Sequence, residues 1–264
     1  MKNRIIGYLC IAMVLVGFSA CEKDNLDAPN ASITGTIYDH KGVPLQLEQG
    51  KGSGHIRITE LSYLNKPEVE VVTAQELNLK VDGTFRNDRL FAGTYLMHPF
   101  KGPFYPVDSL DMKMIDLRGG STTNVDFTVT PYLEVEWVDE PQIVVYGDGE
   151  HPTGKPAGKY FKASAKFTLI NKDGVAHPGV LAGTFCVANT HFVSASSRVG
   201  DYYNTDLSVT DAQAGSTVTF VAQRDIEFYG QDYYFRIGFK SRDQEQKFNY
   251  TTIKKLTVGL DLKN

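Results

Sequence analysis

The chain has 264 residues, 42% of them apolar, with 15 Phe, 14 Tyr and a formal net charge of −4, which excludes collagen-like, low-complexity and acidic disordered classes. Lys and Arg number 27 against 31 Asp and Glu, so no basic excess exists to displace counterions from a phosphate backbone, and nucleic acid is excluded as a partner. A length of this order supports one large or two modest domains.

The chain begins with Lys2 and Arg4 ahead of an uncharged apolar run over residues 5–20, the layout of a secretory signal. That run is about 16 residues, short of the roughly 20 that span hydrocarbon as a helix, so export is favoured over a transmembrane anchor. Phe18-Ser19-Ala20-Cys21 resembles the lipobox of bacterial lipoproteins, with Phe18 in place of the usual Leu. The resemblance implies cleavage before Cys21 and lipidation of that cysteine, so residues 1–21 are expected to be lipoprotein signal and lipobox. Glu22-Lys23-Asp24-Asn25 resembles the acidic patch that directs Bacteroidetes lipoproteins to the outer face of the outer membrane. The partner so implied is the outer membrane, reached through the lipid anchor. Loss of residues 1–20 leaves 25 basic against 31 acidic residues, a charge of −6, and Cys186 as the cysteine not committed to signal or anchor. No intrachain disulfide can then form, and packing has to hold the fold. Residues 22–31 carry few large apolar groups and read as a tether.

From Ser32 the chain alternates with period two. Ile33, Gly35 and Ile37 interleave with Thr34, Thr36 and Tyr38; Leu77, Leu79 and Val81 with Asn78, Lys80 and Asp82; Val125, Phe127 and Val129 with Asp126 and Thr128. This predicts half-buried strands. Asp82-Gly83 between two such runs predicts a tight hairpin, because both residues tolerate positive φ. No stretch combines a helical period with caps for three turns, so the fold class is all-β. Gly35-x-Ile37-x-Asp39-x-x-Gly42-x-Pro44-Leu45, Asp82-Gly83-x-Phe85, Leu90-x-x-Gly93-x-Tyr95 and Val125-x-Phe127 resemble the carboxypeptidase-regulatory-like (transthyretin-like) β-sandwich over residues 32–130. In that family the domain is a non-catalytic accessory. Residues 46–55, with Gly50, Gly52 and Gly54, depart from the family pattern and are expected to form a flexible loop.

Pro131 is the expected boundary to a second domain, residues 131–264. Leu133-Glu134-Val135-Glu136-Trp137, the alternations through Phe161 to Leu169 and Tyr233 to Phe239, and Leu256 to Leu262 suggest about seven strands in an immunoglobulin-like sandwich. A lipobox followed by a transthyretin-like domain and a second sandwich resembles a family of uncharacterised Bacteroidetes surface lipoproteins. Its members are associated with starch-utilisation-type transporters and their glycan-binding partners.

Motifs for chemistry are sparse. The six histidines show no HExxH or HxxE spacing, so no metal site and no cofactor are predicted. Cys186 and His191, five apart in an expected strand, point to opposite faces, and Cys186 reads as a buried thiol. Gly149-x-x-x-x-Gly154-Lys155 lacks the Ser or Thr of a phosphate loop, having Pro156 instead. Glu134 and Glu136 share the outward side of a strand and read as a solvated face rather than a glycosidase pair. Trp137 shares parity with Leu133 and Val135 and is expected in the core. No catalytic residue is assigned, and the chain is not expected to be an enzyme.

Three segments combine aromatic rings with Asp, Asn, Gln, Arg or turn residues: 100–106, 198–206 and 225–234. Rings of this kind stack on sugar C–H faces while neighbouring polar groups pair with hydroxyls. The expected ligand residues are Arg198, Asp201, Tyr202, Tyr203, Asn204 and Tyr229, with Tyr202-Tyr203 as the platform. The function expected is that of a lipid-anchored surface accessory in polysaccharide capture, contacting glycan or an outer-membrane transporter complex. The alternative is a structural or adhesion module contacting protein partners.

Overall fold

Burial in the computed structural model, which describes residues 28–50, 53–62, 72–199 and 203–263, alternates strictly along the first strand, β1 (Ala31–Tyr38). Ala31, Ile33, Gly35 and Ile37 face inward because successive side chains of a strand point to opposite faces. β1 pairs antiparallel with β4 (Thr84–Leu90) and parallel with two short strands, β7 (Thr122–Asn124) and β8 (Phe127–Thr128). A second sheet runs β3-β2-β5-β6, formed by β2 (His55–Glu60), β3 (Gln75–Asn78), β5 (Gly93–Phe100) and β6 (Lys113–Leu117). Ile33, Ile37, Phe85 and Phe127 from one sheet meet Ile56, Ile58, Tyr95 and Met97 from the other in a single core.

The tight turn expected at Asp82-Gly83 is present, with Gly83 at φ 77° and its N–H on the Lys80 carbonyl at 3.0 Å. It does not make a paired hairpin. Beyond the bond from Lys80 N–H to Thr84 O, β3 and β4 part and join opposite sheets. The glycine-bearing stretch after Leu45 also differs from a flexible loop at its start. Leu47 and Glu48 are buried, and the Leu47 N–H donates to Val81 O at 3.0 Å. Residues 51–52 lie outside the described residues.

The rest of the chain forms a three-stranded and a five-stranded sheet. The first, β13-β10-β9, consists of β9 (Leu133–Tyr146), β10 (Gly158–Leu169) and β13 (Val218–Val221). In the second, β14 (Gln231–Ser241) is central. It pairs with β11 (Val180–Ala188), β15 (Phe248–Tyr250) and β16 (Lys254–Val258), and β12 (Thr205–Ser208) flanks β11. β9 tolerates Pro141 because it is an edge strand and the register shifts opposite Lys162–Ser164. Phe161, Phe185, Phe220, Phe235 and Phe239 are fully buried between these sheets, and full burial of each such ring is worth about 1.5–3 kcal/mol. Trp137 packs against this core and its indole N–H donates to Thr252 O at 2.9 Å. Among the described residues, helical turns are 3-10 pieces of three or four residues, so the fold is all-β.

Tyr105, ahead of Pro131, packs with Tyr132 in the core of the later sheets, while its neighbour Phe104 lies in the core of the earlier ones. The outer face of β14 is also covered. Tyr233, Phe235, Ile237 and Phe239 point into the aromatic core, and Arg236, on the opposite face, is fully buried.

Candidate functional site

Of the expected ligand residues, Asp201 and Tyr202 lie outside the described residues, as does Cys21. Tyr203 does not form an exposed platform. It is fully buried, its ring meets Phe161 and Tyr233 edge-on at 5.3 and 5.6 Å, and its hydroxyl accepts the Glu227 N–H at 3.2 Å. The physical reason is that the chain enters β12 directly after Asn204, so Tyr203 closes the end of the aromatic core. Asn204 braces that entry: its Oδ1 accepts the Val187 N–H at 2.9 Å and its Nδ2 donates to Val199 O at 3.2 Å. Arg198 forms a two-point ion pair with Asp206. Tyr229 is half-buried against the same core, and burial raises its hydroxyl pKa above the ordinary tyrosine value. Arg198, Tyr203 and Asn204 thus share a neighbourhood, but one organised for packing.

Cys186 is buried, and burial pushes its thiol up to about 12. Glu134 and Glu136 are each paired with a lysine, Lys41 at 2.6 Å and Lys166 at 3.0 Å. Among the described residues no group of three or more His, Cys, Asp or Glu side chains is placed to hold a metal.

The segment at 100–106 supplies an open site. β5 ends at Phe100, and Lys101 turns the chain with a left-handed backbone, φ 54°, uncommon for a residue with a Cβ. At Gly102 a Cβ would fall 2.0 Å from the Phe104 ring, so only glycine lets that ring fold back under the turn. Phe104 and Tyr105 are then buried, one in each core, and the Tyr105 hydroxyl donates to Ile170 O at 2.9 Å.

What remains open is a cleft of about 470 Å³. Its floor and one wall are His98, Phe100, Phe104, Met112 and Tyr132, and Lys101 stands at its lip. The opposite wall is the turn between β14 and β15, with Asp243, Gln244 and Glu245. Ligand pockets typically hold about 300–1,000 Å³, and this cleft falls within that range. A second cavity at the junction, about 190 Å³ with Lys41, Glu134 and Tyr250 in its lining, is below it.

The cleft side chains are held from behind. The Arg57 guanidinium lies 3.4 Å from the Phe100 ring centre and donates to Glu76 Oε1 at 2.9 Å; that hydrogen bond keeps the Glu76 carboxyl below the usual range. The His98 ring meets Phe100 edge-on at 5.8 Å. On the acidic wall, Asp243 accepts from Ser241 Oγ at 2.5 Å and from the Glu245 N–H at 2.9 Å. Tyr132 is pushed up to about 12, first by burial and then by the charge of Asp243. The neutral phenol is therefore the form present at neutral pH. Aromatic rings, a phenol, an amide, two carboxylates and a lysine in one lining suit a ligand with an apolar face and several hydroxyls. Sequence reasoning found the Phe100 side of this cleft and missed the acidic wall, whose residues lie in a short polar turn without aromatic company.

Comparison with known proteins agrees with this architecture. No curated protein matches the chain. A DUF3823 family protein from Bacteroides uniformis shares its fold with a TM-score of 0.69 at 20% identity, covering 87% of this chain and 100% of that one. A protein from the same organism described as "a putative carbohydrate binding protein" gives a TM-score of 0.62 at 20% identity, with 87% and 100% covered. A DUF3823 family protein from Parabacteroides merdae gives 0.60 at 21% identity, with 88% and 100% covered. Residues 31–130 match the family model described as "Protein of unknown function (DUF3823) N-terminal domain".

Proposed function

We propose that this protein is a non-catalytic carbohydrate-binding accessory, held at the outer membrane surface by lipid on Cys21, that takes a saccharide into the cleft between Phe100 and the Asp243–Glu245 turn. The observation that carries the proposal is that cleft: an aromatic floor stiffened by Arg57, faced by carboxylates and an amide that accept or donate to hydroxyls. The description of the Bacteroides uniformis neighbour supports the same reading. Capture of polysaccharide for an outer-membrane transporter complex would place the cleft upstream of uptake, with no bond made or broken in it.

The test is a soluble form lacking residues 1–21, run on affinity gels against a panel of polysaccharides and followed by calorimetry on any that retard it. Retardation that is lost in Phe100→Ala and reduced in Asp243→Ala supports the site. Retardation insensitive to both, or none across the panel, overturns it.

A further inference from the structure

Arg236 is fully buried and donates hydrogen bonds to both parts of the fold. From the outer face of β14 its Nη1 donates to Leu47 O at 2.6 Å and its Nη2 reaches Gln46 Oε1 at 3.3 Å and Val81 O at 3.5 Å, all in the N-terminal part of the fold. Its Nε donates to Thr251 O at 3.1 Å in the C-terminal part. The Tyr250 ring lies 4.5 Å from the guanidinium carbon, and the Tyr250 hydroxyl donates to Glu48, which also accepts from Ser196 Oγ at 2.8 Å. Burial lowers the Arg236 pKa to about 10, so the guanidinium stays charged at neutral pH. A buried cation whose donors are satisfied by carbonyls from both parts is costly to separate, because separation leaves those groups unpaired.

The clamp is continuous with the cleft. Arg236 on β14 and Tyr250 on β15 lie on the two arms of a hairpin whose tip is the Asp243–Glu245 turn, the acidic wall. Next to Tyr250, the Asn249 Nδ2 donates to Pro103 O at 3.0 Å, close to Phe100 and Phe104 of the other wall. A movement of the Gln46–Glu48 segment against β14 would therefore change the width of the cleft.

We infer that Arg236 is a positioning residue: by seating Gln46–Glu48 on the outer face of β14 it holds the two parts in one orientation and so presets the cleft before ligand arrives. This rests on the cleft being the binding site, but its primary test does not. Spin labels at Arg89→Cys and Thr217→Cys, exposed positions on the two parts, report their separation in the full chain with Cys10 and Cys21 replaced by Ser and the buried Cys186 left in place. The unaltered background gives one narrow distance distribution. Arg236→Met broadens it or adds a second distance, and Arg236→Lys restores most of the narrow peak. Tyr250→Phe, which keeps the ring and frees Glu48 from the hydroxyl, shifts it in the same direction and serves where Arg236→Met does not fold. An unchanged narrow distribution in the folded variants overturns the inference whatever the saccharide result. For a saccharide selected by the panel, binding to Arg236→Met weakens about tenfold if the competent orientation falls to about one tenth of the population. Broadening with unchanged affinity would overturn the link to the cleft and leave the Phe100 and Asp243 results to judge the binding site.

Discussion

Arg198 and Asp206 are joined at two points, Nη1 to Oδ1 at 2.9 Å and Nη2 to Oδ2 at 3.1 Å. Thr184 Oγ1 closes the group, donating to Asp206 Oδ1 at 2.5 Å. A guanidinium that reads in sequence as a ligand contact is thus a brace between the 189–199 stretch and the β11–β12 pair. Two-point pairing to a planar carboxylate is the geometry in which arginine binds most strongly.

This brace makes stability depend on pH. Burial opposes ionisation of Asp206, but the hydrogen bonds from Arg198 and Thr184 outweigh it and hold its carboxyl below the ordinary range. A depressed folded pKa contributes stability above the unfolded value, about 3.9, and that contribution is lost as pH falls through the lower folded value. Asp206→Asn is expected to lower the thermal midpoint at pH 7, with the difference from the parent shrinking as pH falls below about 3.9, the unfolded value. A gap that stays constant across that range would refute the assignment.

Cys186 is expected to be inert while the chain is folded. Its thiol, buried and pushed up to about 12, presents almost no thiolate at neutral pH. In a form with Cys10 and Cys21 replaced by Ser, an aromatic disulfide reagent should react fully in denaturant and only at the rate of unfolding in buffer. Rapid labelling of the native protein would contradict its placement.

Gly35 is required for space rather than for backbone freedom. A Cβ there would fall 2.0 Å from Val125 O and 2.5 Å from the ring of Phe85, its pairing partner on β4. Gly35→Ala should cost about 1–3 kcal/mol in denaturant unfolding, the usual penalty for overpacking a core. Gly42→Ala, where a Cβ meets nothing within 4 Å but φ is +80°, should cost less than Gly35→Ala, through backbone strain alone.

The anchor is tested by labelling cells with a fatty-acid analogue. The intact chain should incorporate it and fractionate with membranes, and Cys21→Ala should lose both, since several acyl chains hold a protein on a bilayer where one gives marginal binding. Membrane retention of Cys21→Ala would remove the lipid-anchor reading.

Local patterns were legible where the physics is local. The alternation through Ile33 and Ile37, the paired faces of β14 and the positive φ at Gly83 follow from side-chain period and turn chemistry. The divergence of β3 and β4 was not legible, because a turn sets the reversal of the chain and distant partners set which sheet each strand joins. Tyr203 reads as a loop aromatic until the core behind it is known.

At the junction the same division holds. Composition and alternation are enough for an all-β chain, since apolar residues every second position bury one face whatever the neighbours are. They say nothing of Glu48, which sits among glycines and polar residues and would be solvated in any local account. It is buried because Arg236, Tyr250 and Ser196 come to it from strands and loops far along the chain. The cleft has the same origin. Its aromatic side was visible in the 100–106 segment, while its acidic wall exists only where the β14–β15 hairpin is laid against the end of β5, because which side chains share a cleft is a property of assembled surfaces and not of any one segment.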